Sequence, residues 1–427
     1  MNLFSFLRRD VAPPGGWPEP EVRATVQGPV SLKDPVLNSW FLGNPSATGL
    51  YVSEETALRL SAIFACSKIL SETVALPSLN LFKSRKSGGR DKATGHPLYS
   101  LAHDAFNTDT TSFRAREYLQ KHLSLRGNAY AKVKRRGNGQ VESLDLLDSR
   151  RVLPYQLESG RPAYEVTYTN NTREVLLGRE GEILHLRGYP SDNGFTGLSP
   201  IGYAREAIGL GLAAEEYGAR FFAGSGVNNT WVSHPGELGD NARINLNNSF
   251  KKWYAGLNNA HKFMILEEGM ELHNLSVPWK DLQFIELRKF QLEEVARLYR
   301  MPLHLLQNLD RATNNNIEHQ SLEFVTFTMQ PWFDRWEDDL NLQLLTPQER
   351  GEYFFKFDVD DLLRGDALTR SQALGVQRQN GVINANEWRE LLGRNPREDE
   401  KGNEFWEPKN MGTGGAADPG ALQEKQP

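Results

Sequence analysis

The sequence predicts a helix-rich α+β fold, on three observations. Strand-length runs separated by turn residues crowd residues 128–187. Three long segments, 200–224, 281–299 and 317–345, repeat apolar side chains at helical spacing. Between the first two lies a mixed stretch, 226–280, short enough to be an insert between paired helices.

Residues 11–49 hold seven prolines and little periodicity, so 1–49 reads as an N-terminal arm. Ser53-Glu54-Glu55 signals a helix start, and that helix is expected to run to Leu76, where Pro77 stops it. A second helix is expected over 112–126. Ala129–Val133 and Val141–Leu147 flank Gly137-Asn138-Gly139, the signature of a hairpin, and further strands are expected at Tyr164–Tyr168, Val175–Leu177 and Ile183–Leu186. The basic clusters Lys83/Arg85/Lys86 and Lys134/Arg135/Arg136 fall at loop tips. They are either solvated or set against nucleic acid or a neighbouring subunit.

The helix 200–224 would be about 37 Å long at ~1.5 Å per residue. Its Ala207, Gly211, Ala214 and Gly218 share one face, which carries almost no side chain. A helical glycine costs about 1 kcal/mol relative to alanine. Gly202, Gly209, Gly211 and Gly218 together therefore point to close approach by another backbone, from a neighbouring subunit or from the same chain. In the insert a strand at Thr230–Val232, a polar helix near 238–255 and a strand at Phe263–Leu266 are expected. The helix Asp281–Tyr299 turns Leu282, Ile285, Leu292, Ala296 and Tyr299 to one side, and Pro302 ends it. The polar stretch Asn308–Asn316 is a loop. Beyond it the Phe324, Thr328, Trp332, Trp336, Leu340, Leu344 repeat marks a third helix, with a kink expected at Pro331. A strand at Tyr353–Phe357 and helices at 366–380 and 384–392 follow, the last capped by Asn384 and closed by Gly393. Residues 401–427 read as a disordered tail.

Composition narrows the function. The chain has 427 residues, 39% hydrophobic and 24% charged, enough for a sizeable core, and a net charge of −5. That charge disfavours tight, sequence-independent DNA binding, which rests on many phosphate contacts from Lys and Arg. It is compatible with DNA passing close by. The single Cys66 lies in an apolar helical run and cannot form an internal disulfide. The apolar stretch of Met1–Asp10 is too short for a signal peptide, and the cytoplasm is the default compartment. Arg205, Glu206, Glu215 and Glu216 interrupt the longest apolar helix, so no membrane span is expected.

The usual signatures of catalysis fail on context. There is no Gly-x-x-x-x-Gly-Lys-Ser/Thr loop. Gly209-Leu210-Gly211-Leu212-Ala213-Ala214 matches a dinucleotide fingerprint but lies inside a helix instead of after a strand. Asp358-Val359-Asp360-Asp361 lacks the glycine and the closing glutamate of a calcium loop, where Thr369 stands. Gly197-Leu198-Ser199 runs into Pro200, so it is no nucleophile elbow. The nine histidines, His304 and His319 among them, show no metal-ligand pairing. No cofactor, no metal and no enzymatic activity are expected.

Several stretches carry a family resemblance: Gly194-Phe195-Thr196-Gly197-Leu198-Ser199-Pro200 leading into Ala213–Phe222; Leu266-Glu267-Glu268-Gly269-Met270; Gln283–Phe290 with Glu293–Arg297 and Met301-Pro302; Arg311–Glu318 with Gln320, Glu323-Phe324 and Pro331-Trp332; and Asn386-Glu387-Trp388-Arg389. In order and spacing these resemble the HK97-like portal proteins of tailed bacteriophages, over roughly residues 50–400.

The resemblance implies a dodecameric ring around a DNA channel, built from wing, stem, clip and crown. It makes 50–198, completed by 318–365, the α+β wing. It makes 199–225 and 281–302 the two stem helices, 226–280 the small α/β clip, 303–317 the tunnel loop, 318–345 a long kinked helix and 366–400 the helical crown. The channel positions it implies are Asn308, Asp310, Arg311, Thr313, Asn314, Asn315 and Asn316. The small-residue stripe becomes a stem interface between subunits. Lys251, Lys252, Trp253 and Lys262 become clip docking positions for the terminase large subunit and later a head-completion adaptor. The remaining expected partners are double-stranded DNA in transit and the major capsid protein or scaffold, with assembly in the host cytoplasm and residence at the capsid vertex of the virion. Other readings of the chain are a different ring-forming adaptor of the virion or a DNA-processing enzyme.

Overall fold

The computed structural model describes residues 44–86, 89–178, 181–223, 230–233, 235–236, 239–241, 243–246, 248, 270–274, 281–307, 320–359, 362, 367–392 and 394–406. The described residues up to Asp358 form one compact unit and those from Val359 a second.

The first unit opens with β1 (Asn44–Pro45) paired to β2 (Tyr51–Val52), so the last residues assigned to the arm belong to the fold. Ser53 caps a helix as expected, accepting from the Thr56 amide while the Thr56 hydroxyl accepts from the Ser53 amide. That helix, α1 (Glu54–Ala57), is a single turn, and α2 starts afresh at Ser61–Ala75. The continuous helix expected to Leu76 is broken because Leu60 is extended, at φ −70° and ψ 115°. Its side chain turns inward and is 6% exposed.

After β3 (Leu79–Ser84), β4 (Arg90–Lys92) and α3 (Pro97–His103), α4 (Ser112–Arg126) packs along α2. Thr111 caps α4 and Gly127 ends it in the left-handed region, at φ +74°. The expected hairpin is β5 (Asn128–Arg135) with β6 (Val141–Leu147), and β10 (Ile183–Arg187) joins β5 on its other side. A second antiparallel sheet holds β7 (Val152–Gln156), β8 (Pro162–Thr167) and β9 (Arg173–Leu177) in that order. Tyr130, Leu147, Val152, Tyr164, Val166, Leu176 and Ile183 make one buried cluster between the two sheets. Burying each such side chain is worth about 1.5–3 kcal/mol.

The helix expected over 200–224 is a short α5 (Pro200–Tyr203) and a long α6 (Arg205–Ala223). Of the insert, β11 (Thr230–Ser233) pairs with β12 (Glu271–Asn274), and the described residues between 240 and 248 are helical; the strand expected at Phe263–Leu266 lies outside the described residues. Then α7 (Asp281–Tyr299) ends with Arg300 in the left-handed region. The third helix, described from Gln320, departs from regular winding just before Pro331. Phe324–Met329 form a π-helix that leads into α8 (Gln330–Gln343). A proline ring clashes with the carbonyl four residues back, here that of Phe327, and the widened turn makes room for it. Phe324, Thr328, Trp336, Leu340 and Leu344 of the expected face are buried. β13 (Tyr353–Phe357) closes a third sheet in the order β13-β3-β4, joining positions far apart in the chain.

The second unit holds α9 (Ala367–Gln379) and α10 (Ala385–Leu391). Asn384 caps α10 in a reciprocal box with Glu387, while Gly393 lies outside the described residues. Part of the expected tail is ordered here: Arg378 donates to the carbonyls of Ile383 and Glu404 and lies over the Trp406 ring. Among the described residues no helix is long and apolar enough to cross a membrane.

Candidate functional site

Three glycines join the sheets to the long helices. Gly188 N donates to the Gly127 carbonyl at 2.8 Å, and Gly197 lies against both residues. A Cβ on Gly127 would overlap the Leu198 carbonyl, and one on Gly197 would overlap the Gly127 carbonyl and come within 2.8 Å of Gly188 N. Asn128 bolts the crossing in place. Its Oδ1 accepts from Gly197 N at 2.7 Å and its Nδ2 donates to Gly197 O at 2.7 Å. Ser199 then caps α5 while its hydroxyl donates to Leu125 O. The direction in which α5 leaves the sheets is thus fixed by backbone-to-backbone contact.

Behind this junction His185 is fully buried. Its Nε2 faces Asn128 Oδ1 at 2.9 Å, and its Nδ1 faces the Tyr164 hydroxyl at 3.1 Å. Asn128 Oδ1 is already an acceptor, so Nε2 carries the proton and Nδ1 accepts from Tyr164. Burial pushes the His185 pKa down to about 3, and burial likewise pushes His122 down to about 4. An unfolded histidine takes a proton as pH falls through ~6.5. The folded one resists until much lower pH, so the unfolded state binds more protons and stability drops with acidification. From His185 alone we expect a loss on the order of 2 kcal/mol between pH 7 and 5. Urea unfolding of His185→Gln should show a visibly flatter pH dependence than the parent over that range; an equal slope would remove His185 as its source.

The outer edge of β10 is closed by side chains of α8. Gln343 accepts from His185 N and donates to His185 O, both at 2.8 Å, so its amide takes the part of a neighbouring strand. Asp339 accepts from Arg187 N at 2.9 Å and pairs with the Arg187 guanidinium. The third helix is therefore clasped directly to the sheet that carries the junction.

α6 and α7 pack side by side and antiparallel. Glu215 meets Arg288 at 3.4 Å, and a Cβ on Gly211 would lie 3.9 Å from Gln291 and 3.2 Å from Leu60. The small-residue stripe, expected as a stem surface between subunits, is covered for the most part by groups of the same chain. Gly211, Ala214 and Gly218 are already buried in one chain, and of the stripe only Ala207 is exposed. Gly211 lets Leu60 and α7 of the same chain approach. On another face of α6, Leu210 is 45% and Tyr217 48% exposed.

Two further groups of expected positions are not placed. Asn308, Asp310, Arg311, Thr313, Asn314, Asn315 and Asn316 lie outside the described residues, as do Lys251, Lys252, Trp253 and Lys262. The base of the first segment is visible on both sides, where His304 Nδ1 meets Gln320 Oε1 at 2.8 Å. Most of the basic clusters are tied locally: Lys83 to Glu352, Arg85 to Asp91, Lys134 to Asp145 and Arg136 to Glu142. Cys66 is buried and its thiol is pushed up to about 12 by burial. Among the described residues no group of His, Cys, Asp and Glu could hold a metal ion.

Sequence reasoning missed Asn128, Arg187, Asp339 and Gln343. A glycine after a helix with an asparagine behind it was a readable cap signal for the first. The other three pair over some 150 positions and left no local trace.

A family model described as phage portal protein matches residues 61–393. The chain is 30% identical over 384 residues to the "Probable portal protein" of Streptomyces phage phiC31, covering 87% of this chain and 82% of that protein. It is 30% identical over 364 residues to the portal protein of Enterobacteria phage HK97, covering 84% and 83%. Among solved structures, an HK97 family phage portal protein from Corynebacterium diphtheriae shares the fold at TM-score 0.55 and 18% identity, over 75% of this chain and 98% of that one. A chain in the neck of a native gene transfer agent particle, computed with C12 symmetry, matches at TM-score 0.52 and 20% identity, over 85% and 93%.

Proposed function

The chain belongs to the HK97-like phage portal protein family, and we propose that twelve copies of it form the ring through which double-stranded DNA enters and leaves the capsid. It is a portal ring protein, a virion component of a family that is structural in kind. The observation that carries the proposed division of labour is the glycine junction. It hangs two antiparallel helices, with an insert between them, from the body of sheets and helices. In this reading the sheets are the wing, α6 and α7 the stem, the insert 226–280 the clip, and α9 and α10 the crown.

The segment 303–317 is then the tunnel loop. Asp310 and Arg311 cancel, and Thr313, Asn314, Asn315 and Asn316 offer hydrogen bonds without net charge. Such side chains touch a phosphate backbone weakly and release it, which suits sliding DNA. The clip, with Lys251, Lys252, Trp253 and Lys262, docks the terminase large subunit and later a head-completion adaptor, and the wing faces the capsid protein or scaffold. The chain itself performs no catalytic step: energy comes from the docked motor. Assembly runs in the host cytoplasm and the finished ring stays in the virion.

Electron microscopy of the purified protein should show rings with a central hole. Replacing Thr313, Asn314 and Asn315 with lysine adds three charges per subunit, each worth about one unit of salt dependence in DNA binding. Rings should persist while the length of DNA packaged per capsid falls. Full-length packaging by intact mutant rings would place the loop outside the channel. Discs that bind a finished head but never a terminase would favour an adaptor, and metal-dependent cutting of plasmid DNA a nuclease.

A further inference from the structure

With the stripe spent inside the subunit, both long helices still show a patterned face to the outside. On α6 the residues Glu206, Leu210, Ala213, Tyr217 and Arg220 recur at i, i+4, i+7, i+11 and i+14. Leu210 and Tyr217 are about half exposed, and Arg220 more so. This row lies about a third of a turn from the stripe. On α7, Glu286, Phe290, Glu293 and Arg297 recur in the same way, all exposed and on the side opposite to the contacts with α6. Phe290 is 50% exposed, a large cost in water for a helix with polar alternatives on either side.

The two rows complement each other. Gly211 lies by Gln291 and Glu215 by Arg288, so residues at equal height on the two antiparallel helices have numbers that add to about 502 or 503. Rotation about a ring axis keeps each residue at its height wherever the helices run along that axis. The same sum then relates α6 of one copy to α7 of the next. It sets Phe290 opposite Ala213, between Leu210 and Tyr217, at the i, i+3 and i+7 positions of the outward face, as a knob set into a facing helix. Glu206 comes level with Arg297. Arg220 lies within a turn of Glu286.

We propose that Phe290 of one copy seats in the Leu210–Ala213–Tyr217 hole of a second copy of this chain, with Glu206–Arg297 and Arg220–Glu286 pairs above and below it. This rests on the ring reading and assigns its stem contact to the outward face of α6 in place of the glycine stripe.

The test swaps sizes across the contact. Ala213→Phe fills the hole and should raise the concentration needed for ring assembly at least about tenfold, the effect of an overpacked contact. Circular dichroism and a melting curve should show that the chain still folds. Phe290→Ala opens the knob and should weaken rings less. Mixing the two variants should restore rings, because every interface in an alternating ring then pairs a large residue with a small one. Light scattering reads the outcome. Restoration only when both changes sit in the same chain would show that Phe290 and Ala213 meet within a subunit, and rings unaffected by Ala213→Phe would overturn the contact outright. If the unaltered protein forms no rings at all, it is the ring reading that fails, not this contact.

Discussion

Gly197→Ala should cost this protein about 3 kcal/mol or more, at or beyond the upper end of overpacking effects, although it adds only one methyl group, at a buried loop position. The new Cβ would overlap the Gly127 carbonyl oxygen, which already accepts from Gly188 N. Side chains can change rotamer to relieve a clash, but two crossing backbones have no such freedom. Relief means parting the β5 start from the α5 entry, and that breaks both Asn128 hydrogen bonds to Gly197. Gly194, three residues earlier, is the control. Its φ is +65° but nothing lies within 4 Å of its Cβ, so Gly194→Ala should lose only about 1 kcal/mol of backbone preference. Urea unfolding of both variants separates the two cases, and ring yield should fall with Gly197→Ala because the helices lose their mooring. Equal stability of the two variants would mean that the crossing gives way easily and does not set the direction of the stem.

The same crossing shows what could be read from the chain and what could not. Gly194 to Pro200 stood out as a motif, yet its reason is geometric and lies in Gly127 and Gly188, which are 70 and nine positions from Gly197. Helices with strong periodicity were legible: Asp281–Tyr299 has the bounds expected of it, and Ser112–Arg126 likewise. Breaks inside helical patterns were not. Leu58-Arg59-Leu60 looks helical, and the turn there places Leu60 against Gly211, a contact about 150 positions away. β3 and β13 pair across some 270 positions, so neither the sheet nor its register had a local signal. The stripe on α6 was seen correctly as a place of close approach. Which backbone approaches depends on tertiary structure, since the sequence of one helix says nothing about whether its neighbour belongs to the same chain.

Asp339→Ala tests the clasp that ties the third helix to the sheets. Breaking a buried pair by removing one partner typically costs ~3–5 kcal/mol. Here the lower end is expected, near ~3 kcal/mol, because the Arg187 side chain is 37% exposed and can turn to water. The backbone has no such escape: Arg187 N points at Asp339 Oδ2 across the sheet edge and would be left without an acceptor. Asp339 stays buried even though burial raises its pKa, the Arg187 contact working the other way. The carboxylate therefore serves that edge. Asp339→Asn keeps one oxygen for Arg187 N and should lose roughly half as much, about 1–2 kcal/mol, as a weaker neutral bond replaces a charged one. Gln343→Ala should not add independently to Asp339→Ala, since Gln343 Nε2 also donates to Asp339 Oδ1 at 3.3 Å and both grip the same strand. With both gone, β10 presents unpaired amides and carbonyls, a template for another chain. Denaturant unfolding should give the three energies, and light scattering after refolding should show irregular aggregates from the double variant where the parent gives soluble protein. A double variant that refolds cleanly, with the two losses simply adding, would mean that Asp339 and Gln343 act separately and that the edge is protected by something other than this helix.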